Sequence, residues 1–426
     1  MNSRYRFETL CLHHGQQPDP DTRARAVPVH RTSSYVFKDT AHAADLFALQ
    51  EKGNIYSRIM NPTNAVLEER LSALEGGRAA LALASGTTAV HYTIINLCTP
   101  GDEVVSSVKL YGGTHTLFDA LLPQFGITTR FVDPGKAANF EAAITDRTRA
   151  LYLESIGNPS LEIPDIEAVA AIARKHHLPL IVDATFTTPY LLQCLKHGAD
   201  IVIHSLTKWI GGHGTAIGGA VVDRGDFDWT DPKFAAFNKP DPGYHGLRFA
   251  HDLDPADYPP FITRLRLVPL RNLGACLAPD NAWIFLQGLE TLPLRMERHS
   301  ANALRVAEFL QDHPRVAWVR YPGLPSDPCH DTARKYLKNG CGGMVVFGIT
   351  GGRPAGAAFI DKLQLFSHLA NVGDAKSLAL HPGSTTHAQL SEAQQQEAGI
   401  TPEMIRLSIG LEHPEDILAD LKQALE

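Results

Sequence analysis

The densest concentration of reactive side chains is His204-Ser205-Leu206-Thr207-Lys208-Trp209-Ile210-Gly211-Gly212-His213-Gly214. A lysine stands just past an apolar run, with hydroxyls one and three residues before it and glycines after it. Taken alone, Thr-Lys in a glycine-rich turn is an ordinary surface lysine. Asp183, 25 residues upstream at the end of the preceding apolar run, changes that reading. Neighbouring parallel strands deliver both side chains to one sheet edge, where ligands gather. An amine that condenses with an aldehyde and a carboxylate that keeps a pyridine nitrogen protonated together suit pyridoxal phosphate. Without Lys208, Asp183 would read as an N-cap or turn residue.

A phosphate needs its own site. Ser85-Gly86-Thr87-Thr88 follows an apolar run and opens a helical stretch from Ala89 to Leu97. Free N–H groups and the positive dipole end make that junction an anion site, and Gly86 allows close approach. From this segment alone, plain helix capping is an equal reading. Ser205 and Thr207 offer further hydroxyl donors, and no Gly-Lys-Ser/Thr triplet follows to make a P-loop.

The elements that must position these groups are legible as a pattern. Seven short apolar runs alternate with amphipathic stretches: Ala80–Ala84, Glu103–Ser106, Thr129–Val132, Ala150–Leu153, Leu180–Asp183, Ile201–His204 and Gly219–Val222. Near-continuous apolar strands separated by helices predict an α/β fold with a mostly parallel seven-stranded sheet and helices on both faces. Before it, residues 1–64 have little periodicity and many turn formers, which predicts an arm lying on something else. A helix through Val66, Leu67, Leu71 and Leu74 ends at Gly76-Gly77. The pyridoxal-phosphate-binding domain is placed at 65–280. Within it, residues 226–279 crowd proline and aromatic residues into an insertion. A long helix from Asn281 to Gln311, interrupted near Pro293, opens a smaller C-terminal α/β domain at 281–426.

Composition sets the outer limits. A length of 426 residues allows two or three domains at about 150 each, and 44% apolar residues exclude disorder as the dominant state. The net charge of −7 comes with no basic run, which argues against nucleic acid. The polar start Met1-Asn2-Ser3-Arg4-Tyr5-Arg6 has no apolar stretch of a secretory signal, and no run approaches the roughly 18 residues of a membrane helix. Six scattered cysteines predict buried thiols in a reducing compartment, hence a cytoplasmic chain. Twenty histidines, including His13-His14 and His176-His177, form no tight ligand set, so no metal is expected.

Ser205-Leu206-Thr207-Lys208, Leu110-Tyr111-Gly112-Gly113-Thr114, Tyr56-Ser57-Arg58 and His381-Pro382-Gly383-Ser384-Thr385-Thr386-His387 together resemble the Cys/Met-metabolism family of fold-type I pyridoxal-phosphate enzymes. The likeness runs from about residue 8 to 424. It implies that Lys208 binds the cofactor's aldehyde, Asp183 pairs with its ring nitrogen and Tyr111 stacks on the ring. It makes Ser85, Gly86, Thr87, Ser205 and Thr207 phosphate donors, with Thr185 and Asn158 as further cofactor contacts. Tyr56 and Arg58 would reach the phosphate of a neighbouring subunit in a homo-oligomer, a tetramer built as a dimer of dimers. Arg406, in Arg406-Leu407-Ser408-Ile409-Gly410-Leu411-Glu412, would clamp the substrate carboxylate.

Three features are similar to the sulfhydrylase branch that uses an O-acylated homoserine. They are Asn371 where lyases and cystathionine synthases tend to carry serine, the excursion around Pro240–Gly246, and Gly113 where methionine γ-lyases tend to carry cysteine. Thr87-Thr88 and Gly383 depart from the family's pattern. The implied activity is γ-replacement: O-acetyl-L-homoserine and sulfide, or a thiol, give L-homocysteine, or methionine, and acetate. Lys208 and Tyr111 are the catalytic candidates, and Asn371 and Arg406 the substrate-binding ones. Cystathionine γ-synthesis and γ-elimination are the alternatives.

Overall fold

In the computed structural model, residues 5–388 and 391–426 are described. Met1–Arg4, the first part of the polar start, lie outside them. Seven strands form the first sheet: β1 Ala79–Leu83, β2 Glu103–Ser107, β3 Thr128–Val132, β4 Thr148–Glu154, β5 Leu180–Asp183, β6 Ile201–Ser205 and β7 Gly219–Asp223. All seven fall on the predicted apolar runs. Their order is β1-β7-β6-β5-β4-β2-β3, parallel except for β7, which is antiparallel to both β1 and β6. Alternate residues enter different cores. Leu81, Leu83, Val104, Ile203 and Val221 pack on one face, and Ala80, Ala82, Val105, Val182 and Val222 on the other. That two-sided burial is why the strands read as continuous apolar runs instead of alternating ones.

The aromatic excursion closes one of these faces. Trp229 stacks on Phe237 at 4.7 Å and on Phe261 at 5.4 Å, and all three are buried in the core that holds Leu81 and Ile203. On the other face, helix Pro62–Glu75 ends at Gly76 in the left-handed conformation, as its glycine pair predicts. Its Leu67, Leu71 and Leu74 bury Leu10 and Cys11 of helix Phe7–His13. Buried Arg70 adds hydrogen bonds to the His14 carbonyl (3.0 Å) and to Gln16 (3.2 Å). The start of the expected arm thus docks on its own chain. The apolar positions Phe7, Leu10 and Cys11 make a stripe too short to register as periodicity. The rest lies more loosely on the same chain: Val36 is 98% exposed, and Thr40–Phe47 forms a helix with little burial, tied down where Tyr244 donates to the Phe47 carbonyl (2.9 Å).

The long C-terminal helix is two, Pro279–Glu290 and Leu292–Gln311, broken at Thr291. Pro293 sits in the first turn of the second, where its missing N–H costs nothing. Five further strands, β8 Val316–Arg320, β9 Met344–Ile349, β10 Ser367–His368, β11 Leu378–Leu380 and β12 Met404–Ser408, make a second sheet ordered β10-β11-β12-β9-β8. The two sheets meet around one turn. Arg295, buried on helix Leu292–Gln311, donates to the carbonyls of Trp209 (2.6 Å), Ile210 (3.0 Å) and Gly288 (2.6 Å). It thereby holds the turn that follows Lys208.

The junction of β7 with the β1 edge is packed backbone to backbone. A Cβ on Gly219 would overlap the Ser85 carbonyl and approach the Gly86 nitrogen at 2.7 Å. Gly219→Ala is expected to destabilise the fold by about 1–3 kcal/mol through this overpacking, read as a lowered thermal midpoint. An unchanged midpoint would show that the junction has slack.

Candidate active site

A cleft of about 270 Å³ opens at the carboxyl ends of the parallel strands. Five strand ends deliver residues: Ser85, Gly86 and Thr87 after β1, Tyr111 after β2, Asn158 after β4, Asp183 and Thr185 at β5, and Ser205, Thr207 and Lys208 at β6. The second sheet contributes Arg406 from β12 and Asn371 from the loop before β11. These candidates therefore line one cavity. Tyr56 and Arg58 do not: both are exposed elsewhere, with the Arg58 guanidinium over the Tyr56 ring at 5.1 Å.

Lys208 donates from Nζ to Asn371 Oδ1 at 2.5 Å. Burial, reinforced by the charge of Arg406, pushes its amine down from the usual lysine range to about 8. A lysine in that state is a nucleophile and base near neutral pH. Arg406 is itself buried, with burial lowering it to about 10. It donates to Asn158 Oδ1 (3.0 Å) and to the Asn371 carbonyl (3.4 Å), and no carboxylate of the described residues forms an ion pair with it. A buried cation held only by neutral acceptors is poised for an incoming anion.

The opposite end of the cleft has different chemistry. Helix Gly86–Leu97 points its N-terminus at the cavity, capped by Ser85, whose Oγ accepts from the Thr88 N–H at 3.0 Å. Gly86 and Thr87 hold the first two helical positions, whose N–H groups have no intrahelical acceptor. A Cβ on Gly86 would lie 2.6 Å from Ser205 Cβ, so glycine lets the helix start approach β6. Thr185 positions this corner: its Oγ1 accepts the Ser205 N–H (2.8 Å), and its own N–H donates to Asp183 Oδ1 (2.9 Å). Thr207 Oγ1 accepts from the Gly218 N–H at 3.1 Å. Burial pushes the Asp183 carboxyl up, while the Thr185 hydrogen bonds and nearby His204 hold it down.

Tyr111 stands at the rim, 44% exposed. A Cβ on residue 113 would fall 2.5 Å from its ring, so Gly113 leaves room for this ring position. A helix N-terminus for a phosphate, a buried carboxylate for a ring nitrogen, a rim tyrosine for the ring face and a depressed lysine for the aldehyde form a set that fits pyridoxal phosphate.

Sequence reasoning missed nine lining residues, among them Glu154, Ile217 and Thr386. Glu154 has the same signal as Asp183, a carboxylate closing an apolar run. Its Oε1 accepts the Tyr111 N–H (2.7 Å) and its Oε2 the Asn158 N–H (3.2 Å). Thr386 falls inside the His381–His387 motif without being singled out there, and Ile217 lies in a glycine-rich segment where nothing marks it.

Residues 8–426 match the family profile described as Cys/Met metabolism PLP-dependent enzyme. An O-acetyl-L-homoserine sulfhydrylase of Leptospira meyeri is 54% identical, covering 100% of this chain and 98% of its own. O-acetyl-L-homoserine sulfhydrylase 1 of Thermus thermophilus is 53% identical, covering 99% and 100%. A Campylobacter jejuni crystal structure, described as an O-acetylhomoserine (thiol)-lyase and bearing a pyridoxyl-lysine-5'-monophosphate residue, superposes with a TM-score of 0.96 at 46% identity. It covers 99% of this chain, which spans 100% of it. The chain belongs to the Cys/Met-metabolism family of pyridoxal-phosphate-dependent enzymes, and its cofactor is pyridoxal phosphate.

The state of Lys208 is directly measurable. Only the neutral amine attacks an aldehyde, so uptake of pyridoxal phosphate by the cofactor-free protein is expected to accelerate as pH rises through about 8. Arg406→Met removes a nearby positive charge and is expected to move that midpoint upward. Stopped-flow absorbance against pH reads both, and a midpoint near 10.5 would mark an unperturbed lysine.

Proposed function

We propose that this member of the family catalyses γ-replacement, converting O-acetyl-L-homoserine and sulfide, or a small thiol, into L-homocysteine, or methionine, and acetate. Within the structure, the carrying observation is the pair of cations bridged by Asn371: a lysine depressed to about 8 beside a buried arginine without an anion. Full-length identity above 50% to sulfhydrylases supports the choice of substrate.

When bound, pyridoxal phosphate supplies an aldehyde that links to amines and a ring that accepts the electron pair left at Cα. Every other role falls to the chain. Gly86 and Thr87 offer N–H groups, and Ser85, Ser205 and Thr207 hydroxyls, around the phosphate. Asp183 would keep the ring nitrogen protonated, and Thr185 and Asn158 would line the ring's surroundings. Arg406 grips the substrate carboxylate in place of Asn158 and Asn371. Lys208 moves the protons at Cα and Cβ while acetate leaves Cγ and sulfide adds there, which balances the reaction. Tyr111 covers the ring and shares in the proton transfers.

The same reading includes a cytoplasmic homo-oligomer, a tetramer as a dimer of dimers. Its supports are the exposure of Tyr56 and Arg58 away from their own cleft and the free state of all six cysteines. Among the described residues no helix is long and apolar enough to cross a membrane.

Lys208→Ala is expected to abolish turnover and the visible absorption of the lysine-bound cofactor; retained turnover would remove Lys208 as the base. Arg406→Ala is expected to raise KM for the amino acid by about 10–100-fold, the worth of about 1.5–3 kcal/mol for charged hydrogen bonds, leaving KM for sulfide unchanged. Homocysteine formation from acetyl-, succinyl- and phosphohomoserine tests the substrate. Production of cystathionine from cysteine, with sulfide inert, would overturn the assignment.

A further inference from the structure

Glu154 closes β4 and is 7% exposed, with Asp183 as its partner across the β4–β5 ladder. No cation of the described residues forms an ion pair with it. Burial, added to the charge of Asp183, pushes its carboxyl well above the usual range. Such a group is costly to keep unless it satisfies something. What it satisfies is two backbone donors on different loops, the N–H of Tyr111 through Oε1 and that of Asn158 through Oε2. Those residues lie 43 positions before it and four after it. Each N–H meets its own oxygen, an arrangement a carboxylate offers on both sides, whereas an amide would turn an NH₂ toward one of the donors.

Both bonded residues carry side chains that face the cleft. Tyr111 places its ring at the rim, and Asn158 offers Oδ1 to Arg406 at 3.0 Å. We propose that Glu154 is a positioning residue that sets the Tyr111 ring over the cofactor and, through Asn158, aligns Arg406 for the substrate's carboxylate. This rests on the pyridoxal-phosphate and amino-acid reading above, not on the identity of the leaving group.

The test uses the holoenzyme, Glu154→Gln, Asn158→Ala and the double variant, with L-norvaline as a probe that has no group to lose from Cγ. Glu154→Gln keeps size and shape but turns an NH₂ toward one of the two N–H donors. The cofactor's induced circular dichroism is expected to fall by at least about half in Glu154→Gln, since stacking geometry controls it. The dissociation constant for L-norvaline, read from the cofactor's absorbance, is expected to rise about tenfold in Glu154→Gln, the worth of one hydrogen bond to a charged group. In the Asn158→Ala background the same substitution should change it less than about twofold, because the route through Asn158 is already cut. An unchanged dichroism, or an equal loss of affinity in both backgrounds, would overturn the proposal. Should Glu154→Gln fail to fold, Glu154→Asp replaces it, with the same two measurements and the same results expected or overturning. Neither readout depends on acetylhomoserine, so a wrong substrate assignment would fail in the turnover assay alone.

Discussion

The three hydrogen bonds from Arg295 to the carbonyls of Trp209, Ile210 and Gly288 are the constraint on which the site depends. A lysine at the end of a strand is ordinarily a mobile, hydrated cation. Here the turn after Lys208 is fixed by a guanidinium reaching from helix Leu292–Gln311. Burial lowers Arg295 to about 10 and it has carbonyls, not carboxylates, as partners. Neutral acceptors let it bind backbone without adding a negative charge near Lys208. The lysine therefore feels desolvation and Arg406, both of which favour the neutral amine.

Around that fixed point, polarity is sorted along the cleft. Helix Gly86–Leu97 brings backbone donors to one end, and Arg406 brings a guanidinium to the other. Asp183 and Glu154, ladder partners on β5 and β4, add two carboxyl groups to the lining. The parallel sheet makes this sorting simple, because consecutive strand ends lie side by side and each need supply no more than three residues. The antiparallel β7 does not break the pattern. Its amino end lies against the Ser85–Gly86 junction, where a side chain would not fit.

Much of this is readable from residues alone. The seven strands are visible because burial on both faces writes itself as unbroken apolar runs. Lys208 and Asp183 are visible because their types are unusual just past such runs. Ser85-Gly86-Thr87 is ambiguous between cap and anion site, and the structure shows why: Ser85 does cap the helix, while the following N–H groups remain for a ligand. What stays hidden depends on distant pairing. Glu154 looks like a strand end until its bond to Tyr111 joins residues 43 apart, and Arg295 looks like a surface residue on an amphipathic helix. The arm is legible only in part, because the short helix docked by Leu10 and Cys11 does not run long enough to show a period.

Asn371 shows why the residue type at one position has mechanistic weight. Its side-chain oxygen accepts Lys208 Nζ, and its main-chain carbonyl accepts Arg406 Nη2. A single residue thus bridges the two cations, one through its side chain and the other through its main chain. Serine at the same position would keep the carbonyl for Arg406 but shorten the arm toward Lys208 by one bond. Its hydroxyl would also be a donor as well as an acceptor, where the asparagine oxygen only accepts. An acceptor at this reach holds the amine through an N–H and leaves the lone pair of its neutral form free. On the proposed γ-replacement, the choice of asparagine would bear on where the base rests between proton transfers, and so on which carbon of the substrate it can reach.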